Sequence, residues 1–315
     1  MKKIVYLSGG VGGAKFAKGL SKLKNVDLSI IVNTGDDEYI HGVALSPDID
    51  SVIYGLANIE GKYGWGVLND EFTVHNELKK FYDLNFMIGD KDLALNLFRN
   101  QMINDGLKLT EITDIIKNKF NIRCKILPMS DDKVSTKLIT KNGEKLNFQN
   151  YFVEKKAKPR LSKVVYEGSR KANVSNQVIN LIDQSNILII GPSNPILSIG
   201  PILSINKINQ SIKNHNNVIA ISPFVGKKAL KGPSVQNFID MGYNPDIKGL
   251  KKYFKNRVNK FYVNYGDSDG SYNVFEDQIV FKNENDSKIL AERILQNEWG
   301  KNNTYSRYSR NKSWW

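Results

Sequence analysis

Short, continuously apolar runs recur along the chain and alternate with stretches whose apolar residues lie at helical spacing. Runs of this length are typical of β-strands that are buried on both faces of a parallel sheet. They are Ile4–Leu7, Leu28–Val32, Lys125–Leu127, Ile187–Ile190 and Val218–Ile221. Between the first two runs, Phe16, Leu20 and Leu23 mark one face of a helix. This alternation predicts an α/β fold with a Rossmann-like, doubly wound, mainly parallel sheet.

Two segments depart from the alternation. Residues 51–120 contain almost no β-branched runs and repeat apolar residues at helical spacing, which predicts a helical insertion. Asn142 and Gly143 stand between two alternating segments, a pattern typical of a two-residue β-hairpin turn. We therefore assign residues 1–50 and 121–290 to a discontinuous Rossmann-like core, residues 51–120 to a helical insertion subdomain, and residues 291–315 to a basic and aromatic C-terminal tail.

Composition narrows the class of protein. The chain has 45 basic and 32 acidic residues and a formal net charge of +13. Its lysines are spread over the whole chain instead of forming a stripe with interleaved aromatic residues, so the charge favours small anionic ligands over nucleic acid. The single cysteine, Cys124, excludes an internal disulfide, and no apolar run approaches the roughly 18 residues of a membrane span. We expect a cytoplasmic protein with neither a nucleic-acid nor a membrane partner.

Small, polar or acidic residues follow the carboxyl ends of the predicted strands. In an open parallel sheet these ends meet at one edge, and ligands bind there. The candidate ligand-binding residues at this edge are Gly9, Gly10, Gly12, Gly13, Asn33, Asp36, Ser193 and Asn194. Because several separate loops carry this chemistry, the sequence predicts a nucleotide-type site.

The glycine loop, residues 8–13, precedes a predicted helix, where backbone N–H groups can approach a phosphate. It is not the dinucleotide-binding fingerprint, because Lys15 occupies the place of the third glycine, and this disfavours an NAD(P) oxidoreductase. It is not a P-loop either. The alternative to phosphate binding is a tight turn between strand and helix.

Asp48 and Asp50 follow Ser46 and Pro47. We expect Asp48 to cap a helix that begins at Ile49, which leaves Asp50 in the first helical turn. Carboxylates near a phosphate-binding loop suit Mg²⁺, which usually takes one or two carboxylates together with substrate phosphates. The pair Asp131 and Asp132 fits helix capping as well as ligand binding. The three histidines show no metal-ligand spacing, so zinc is not expected.

Eight motifs in order resemble one known family. They are Ser8–Lys15, Asn33–Asp37, Leu45–Asp50, Gly64–Gly66, Ile88–Ala94, Ile126–Asp132, Gly191–Pro201 and Ala229–Pro233. The chain resembles the 2-phospho-L-lactate transferase family of coenzyme F420 biosynthesis. The resemblance implies a Mg²⁺-dependent transfer of a phospho-three-carbon-acid moiety, 2-phospholactate or phosphoenolpyruvate, from its diphospho-5'-guanosine donor to the ribityl hydroxyl of the deazaflavin Fo, with release of GMP. We also expect a homodimer.

The resemblance also implies roles for single residues. It places Fo against Asp50 and Lys91, where Lys91 replaces the usual arginine and lacks its bidentate fork. Asp50 is the candidate catalytic residue, and Asp48 and Asp50 are the candidate metal ligands. Whether Asp50 acts as a base, a metal ligand or an anchor for Fo stays open. A non-catalytic nucleotide-sugar-binding regulator of the related gluconeogenesis-factor family is the alternative, although Leu45–Asp50 and Lys91 would have no use in a mere sensor.

Overall fold

The structure is a computed structural model that describes residues 1–62, 64–82, 84, 86–229 and 232–300. Within these residues the strands are β1 (Lys2–Ser8), β2 (Val26–Val32), β3 (Glu38–Ile40), β4 (Val43–Leu45), β5 (Lys125–Pro128), β6 (Ser135–Thr140), β7 (Lys145–Asn147), β8 (Leu161–Glu167), β9 (Ile187–Ile190), β10 (Val218–Ile221), β11 (Phe224–Val225), β12 (Lys228–Ala229), β13 (Lys260–Val263) and β14 (Val274–Glu276). The α-helices are α1 (Gly10–Ser21), α2 (Pro47–Ala57), α3 (Thr73–Leu78), α4 (Asp90–Asn104), α5 (Leu109–Lys119), α6 (Asn176–Gln184), α7 (Gly200–Ser204), α8 (Asn206–Asn214), α9 (Ser234–Asp240), α10 (Ile247–Phe254) and α11 (Glu284–Trp299).

Seven of these strands form one parallel sheet in the order β14-β13-β10-β9-β1-β2-β5. The predicted doubly wound sheet is confirmed, and all five predicted strands lie in it. The chain runs outward from β1 in one direction through β2 and β5, and then returns to β9 on the other side of β1. This reversal opens a crevice at the carboxyl ends of β1 and β9, which is the usual ligand site of such sheets.

The sheet is buried on both faces because alternate residues of each strand point to opposite sides. Ile4 and Tyr6 pack into a core formed with α1, α2, α5 and α11, whereas Val5 and Leu7 pack into the core beneath α6, α8 and α10. The result is a three-layer sandwich of helices, sheet and helices. No helix among the described residues is long and apolar enough to cross a membrane.

The helical insertion begins later than its predicted boundary at residue 51. Helix α2 already starts at Pro47, and its Ile49, Val52 and Ile53 are buried in the core against α1. Beyond it, α3, α4 and α5 occupy the predicted insertion. The predicted hairpin is confirmed as β6 and β7, with Gly143 at φ +85° in the turn. Strand β8 extends the hairpin to three strands and was not predicted.

The predicted C-terminal tail does not begin at residue 291. Helix α11 continues to Trp299 with Ala291 and Ile294 buried, and it packs on α1. The contact is close, because a Cβ atom added at Gly19 would lie 2.5 Å from the backbone of Ser287. The remainder of the predicted tail, residues 301–315, lies outside the described residues.

Candidate active site

The loops that follow β1, β2 and β9 contact one another at the carboxyl edge of the sheet. Ser193 Oγ donates to the carbonyl oxygen of Gly9 at 2.6 Å, and Asn33 Nδ2 donates to Asp48 Oδ2 at 2.9 Å. Asn33 Oδ1 in turn accepts the N–H of Gly35 at 2.8 Å. Three of the predicted loops therefore meet in one site.

The first turn of α1 receives no capping hydrogen bond from the side chain of its own N-cap residue. Helix α1 begins at Gly10, its N-cap is Gly9, and its first turn contains no acidic residue. The first N–H groups of a helix have no intrahelical partner, and the helix dipole favours negative charge at this end. This end of α1 suits a phosphate.

Close packing also explains why most positions of this loop are glycine, which has no side chain. A Cβ atom at Gly12 would lie 2.9 Å from the carbonyl oxygen of Pro192, and one at Gly13 would lie 2.5 Å from Ser8 Oγ. A Cβ atom at Gly9 would lie 2.6 Å from that of Ser198. Only Gly10, at φ +62°, has its nearest neighbours as far away as 3.8 Å. Three of the four glycines thus let the β1 and β9 loops approach closely, whether or not a ligand is bound.

Asp48 does not cap α2, contrary to the prediction. The helix starts at Pro47 with Ser46 as N-cap and without a side-chain capping hydrogen bond. Ser46 makes no capping hydrogen bond because its hydroxyl donates instead to Asp37 Oδ2 at 2.7 Å. The Asp48 carboxylate instead accepts hydrogen bonds from Asn33 and from the backbone N–H of Gly10. It therefore lies at the same end of α1 that suits a phosphate.

Asp50 forms a buried ion pair with Arg99 of α4. Arg99 is 1% exposed and Asp50 is 5% exposed, and Arg99 Nη2 donates to Asp50 Oδ1. The pair joins the core helix α2 to the helical insertion. Arg99 was not among the residues predicted from the sequence.

The sequence does contain a signal for Arg99. It follows Leu95 by four positions and precedes Met102 by three, so it lies on the inward face of α4. A lone arginine on such a face is usually paired, because a buried unpaired charge is costly. Its partner could not be identified from the sequence, since the two residues lie 49 positions apart.

Three buried carboxylates, Asp36, Asp48 and Asp50, and the half-buried Asp37 lie near one another at this edge. We call these four the carboxylate cluster. Burial raises the pKa of Asp36 well above its usual range, and the nearby Asp48 raises it further. Burial also raises the pKa of Asp48 to about 6, although hydrogen bonds from Asn33 and Gly10 oppose the shift. For Asp50, burial raises the pKa and Arg99 opposes that rise. Of the four carboxylates, only Asp37 and Asp50 have the burial-driven rise in their pKa opposed by the Arg99 guanidinium.

Two carboxylate oxygens of the cluster, Asp36 Oδ1 and Asp37 Oδ1, are buried without a hydrogen-bond partner. Such orphaned oxygens and mutual repulsion fit an additional cation. Among the described residues, no three His, Cys, Asp or Glu side chains are arranged to hold a metal ion by themselves. Mg²⁺ does not require that, because it completes its coordination with water and substrate phosphates. Of the predicted metal pair, Asp48 lies beside the N-terminus of α1, whereas Asp50 is already paired with Arg99.

Two predicted binding residues use their side chains within the protein. Lys91 Nζ donates to the carbonyl oxygen of Asn69 at 2.6 Å, near the start of α4. Asn194 Oδ1 accepts from the N–H groups of Ile196 and Leu197, so it caps the turn that follows β9. A contact of either side chain with a substrate requires these bonds to be exchanged.

Asp131 and Asp132 both accept backbone hydrogen bonds, but only Asp131 caps a helix. Asp131 Oδ1 accepts the N–H of Thr110 in the first turn of α5 at 2.8 Å, and Asp132 Oδ2 accepts the N–H of Asn173, in the loop before α6, at 2.7 Å. The capping interpretation therefore holds for Asp131. Burial raises the pKa of Cys124 to about 11, which agrees with packing as the role of this thiol.

A cavity of about 170 Å³ adjoins the carboxylate cluster. Asp36, Asp37 and Thr136 line it together with Lys133 and Lys137. The buried Thr136 Oγ1 has no hydrogen-bond partner. The site therefore combines helix N–H groups, buried carboxylates and nearby ammonium groups within one edge of the sheet, a set of groups suited to a phosphorylated ligand.

A family model described as 2-phospho-L-lactate transferase CofD matches residues 4–283. The chain belongs to this family. It is 38% identical to the 2-phospho-L-lactate transferase of Methanococcus maripaludis over 303 residues, covering 93% of this chain and 98% of that protein. The transferase of Methanocaldococcus jannaschii is 36% identical, with 93% of this chain and 97% of that protein covered.

The fold is also found in solved structures. A UPF0052-family protein of Bacillus halodurans superposes with a TM-score of 0.66 at 16% identity, covering 94% of this chain and all of that one. At this identity the likeness concerns the fold alone. For a member of the 2-phospho-L-lactate transferase family, the residues at the sheet edge then become candidates for the chemistry of group transfer.

Proposed function

We propose that this transferase-family member moves a phospho-three-carbon-acid moiety, 2-phospholactate or phosphoenolpyruvate, from its diphospho-5'-guanosine donor to the ribityl hydroxyl of Fo in coenzyme F420 biosynthesis. The observation that carries the proposal is the convergence of the N-terminus of α1, whose N-cap Gly9 has no side chain, and the buried Asp50–Arg99 pair at one sheet edge. Membership of the family supports the identity of the transferred group.

The reaction is a displacement at phosphorus. The ribityl hydroxyl oxygen bonds to the phosphorus that bears the three-carbon acid, and the bond from that phosphorus to the oxygen of GMP breaks. GMP leaves with the electron pair of that bond, and the hydroxyl proton passes to a base. Such transfers depend mostly on positioning and on neutralising the phosphate charge.

The chain's own residues fit distinct parts of this task. We assign the donor phosphates to the N–H groups at the start of α1, on the glycine loop. Asp50 is the catalytic residue that orients the hydroxyl and accepts its proton, because it is a buried carboxylate at this edge. Lys91 would hold Fo once it releases Asn69.

Mg²⁺ is proposed as the cofactor. The Asp48 carboxylate lies where the donor phosphates are expected, so two anionic groups would share one place. Asp48, assisted by Asp36 and Asp37, would hold the ion, and the ion would neutralise the diphosphate. Asp50, paired with Arg99, is the less suitable ligand of the predicted pair.

The test incubates the protein with Fo, Mg²⁺ and each candidate guanosine donor, and follows both GMP and the deazaflavin by mass spectrometry. We expect a heavier deazaflavin product and one equivalent of GMP, and the better donor identifies the three-carbon acid. GMP release without a heavier product contradicts a transferase. Tight nucleotide binding with no turnover of any donor supports the non-catalytic regulator instead.

A further inference from the structure

We propose that Arg99 is a positioning residue for the reaction: it holds the Asp50 carboxylate in a single orientation towards the acceptor hydroxyl. The inference rests on the proposed function, since it assigns a task to Asp50. Arg99 belongs to the helical insertion and to none of the eight sequence motifs. The proposal therefore adds a residue from outside the core to the candidate active site.

Arg99 is held on several sides. Its Nη2 donates to Asp50, and its Nη1 donates to Asn96 Oδ1 and to the carbonyl oxygen of Ala44, the latter at 3.4 Å. Nη1 and Nη2 thus donate to three groups on different elements, whereas Nε is buried without a partner. Because the guanidinium is planar and rigid, three contacts on two of its nitrogens are enough to fix its plane. A planar donor group with a fixed plane restricts the carboxylate that accepts from it.

The groups behind Arg99 are arranged in a chain. Asn96 Nδ2 donates to the carbonyl oxygen of Asp92 at 2.9 Å, which turns Asn96 Oδ1 towards Arg99. Tyr54 Oη donates to Asp92 Oδ1 at 2.7 Å. We call Asp50, Arg99, Asn96, Asp92 and Tyr54 the polar seam.

The spacing of the polar seam explains why it exists between these two helices. Asp50 and Tyr54 lie four positions apart on α2, so they share one face of that helix. Asp92, Asn96 and Arg99 lie four and three positions apart on α4 and share one face there. The seam therefore begins and ends on α2 and passes through α4, which ties the orientation of Asp50 to the docking of the insertion.

A merely structural role for Arg99 is the rival interpretation. In that case, loss of the guanidinium lowers the amount of folded protein, and each folded molecule turns over normally. A positioning role lowers kcat of the folded molecules and leaves KM for the guanosine donor unchanged, because the donor is bound elsewhere on the glycine loop.

The experiment compares Arg99→Met, Arg99→Lys and Tyr54→Phe with the matched control Arg293→Met, which removes another arginine paired with a buried aspartate, Asp277. Folded protein is quantified by near-ultraviolet circular dichroism before kcat and KM are measured. We expect Arg99→Met to lower kcat about 10²-fold, the usual cost of misplacing a reacting group. Arg99→Lys should recover part of that loss, Tyr54→Phe should lose less than Arg99→Met, and the control should keep full kcat per folded molecule.

Two further readouts keep the test decisive. Added guanidinium at non-denaturing concentration should restore turnover to Arg99→Ala and not to Asp50→Asn. Crystal structures of the wild type and Arg99→Lys should show a turned Asp50 side chain on an unmoved α2, and this measurement needs no substrate. If Arg99→Met does not fold, Arg99→Lys and Tyr54→Phe carry the comparison.

Normal kcat per folded molecule in the Arg99 variants, or an unmoved Asp50 in the crystal of Arg99→Lys, overturns the proposal. A wild-type protein that makes no product from any donor overturns the proposed function instead. The structural readout separates these two failures.

Discussion

The two sides of the candidate site are built on opposite principles. On the β1–β9 side, the glycine loop packs directly against Pro192 and Ser198 and offers the backbone N–H groups at the start of α1. On the β2–α2 side, three buried carboxylates and the half-buried Asp37 lie near one buried arginine, and two carboxylate oxygens have no partner. The first side needs no further partner for its packing, whereas the second contains carboxylate charge that only a bound cation or a proton can balance. We therefore propose phosphate binding for the N-terminus of α1 and catalysis for the buried carboxylates.

The largest expected effect follows from Asp50→Asn, which removes the negative charge that is paired with Arg99. We expect turnover to fall by about 10²–10⁴-fold, the usual cost of a lost acid–base group. Stability should fall as well, by about 3–5 kcal/mol at most, because the buried Arg99 loses its counter-charge. Turnover and thermal unfolding of the variant are measured together. Asp131→Asn, which alters a capping carboxylate, serves as the control, and near-normal turnover of Asp50→Asn would contradict the assignment.

The next effect concerns stability against pH. Burial raises the folded pKa of Asp48 to about 6, so between about pH 4 and 6 the folded state binds more protons than the unfolded state. The contribution of Asp48 to stability therefore decreases as pH rises through this window, by up to about 3 kcal/mol. We expect Asp48→Asn to be more stable than the wild type at pH 7 and to lose this pH dependence, as urea unfolding at several pH values will show.

The same variant sharpens the cation proposal without an activity assay. Mg²⁺ bound at the carboxylate cluster stabilises the folded state by mass action. Millimolar Mg²⁺ should therefore raise the melting temperature of the wild type more than that of Asp48→Asn. Equal shifts in both proteins would speak against Asp48 as a ligand.

Gly12→Ala tests the β1–β9 side of the candidate site. The added Cβ would lie 2.9 Å from the Pro192 carbonyl oxygen, so the β1 and β9 loops must separate. Overpacking of this kind costs about 1–3 kcal/mol. We expect weaker binding of the guanosine donor in calorimetry together with a lower melting temperature. Unchanged donor affinity would remove the glycine loop from the site.

The smallest effect is expected for Lys91→Arg, which introduces the arginine that the resemblance to the family implies at this place. Lys91 is exposed, so stability should not change. The planar fork of arginine should lower KM for Fo, and Lys91→Met should raise it, with kcat nearly constant in both. Steady-state kinetics in Fo checks both variants. A rise in KM for the guanosine donor alone would place Lys91 elsewhere.

Secondary structure and sheet class followed from local patterns. Apolar runs such as Ile187–Ile190 are strands because every residue is buried between two helical layers, and that pattern is visible in the chain itself. The boundaries of the insertion and of the tail were wrong, because α2 and α11 belong to the core by packing on α1. The packing of α11 on α1 depends on the close contact of Gly19 with Ser287, and these two residues are distant in the sequence.

The sequence by itself determined the α/β class, and it predicted a candidate site at the strand ends with contributions from the glycine loop, Asn33 and aspartates. Parallel strands bring their carboxyl ends to one edge whatever their side chains contact. Only the tertiary structure decided which groups are partners: Asp48 reaches the N-terminus of α1 instead of capping α2, and Asp50 is paired with Arg99. Such pairings depend on how two helices dock, and hydrogen bonding in the low-dielectric interior selects one partner among many that the sequence allows.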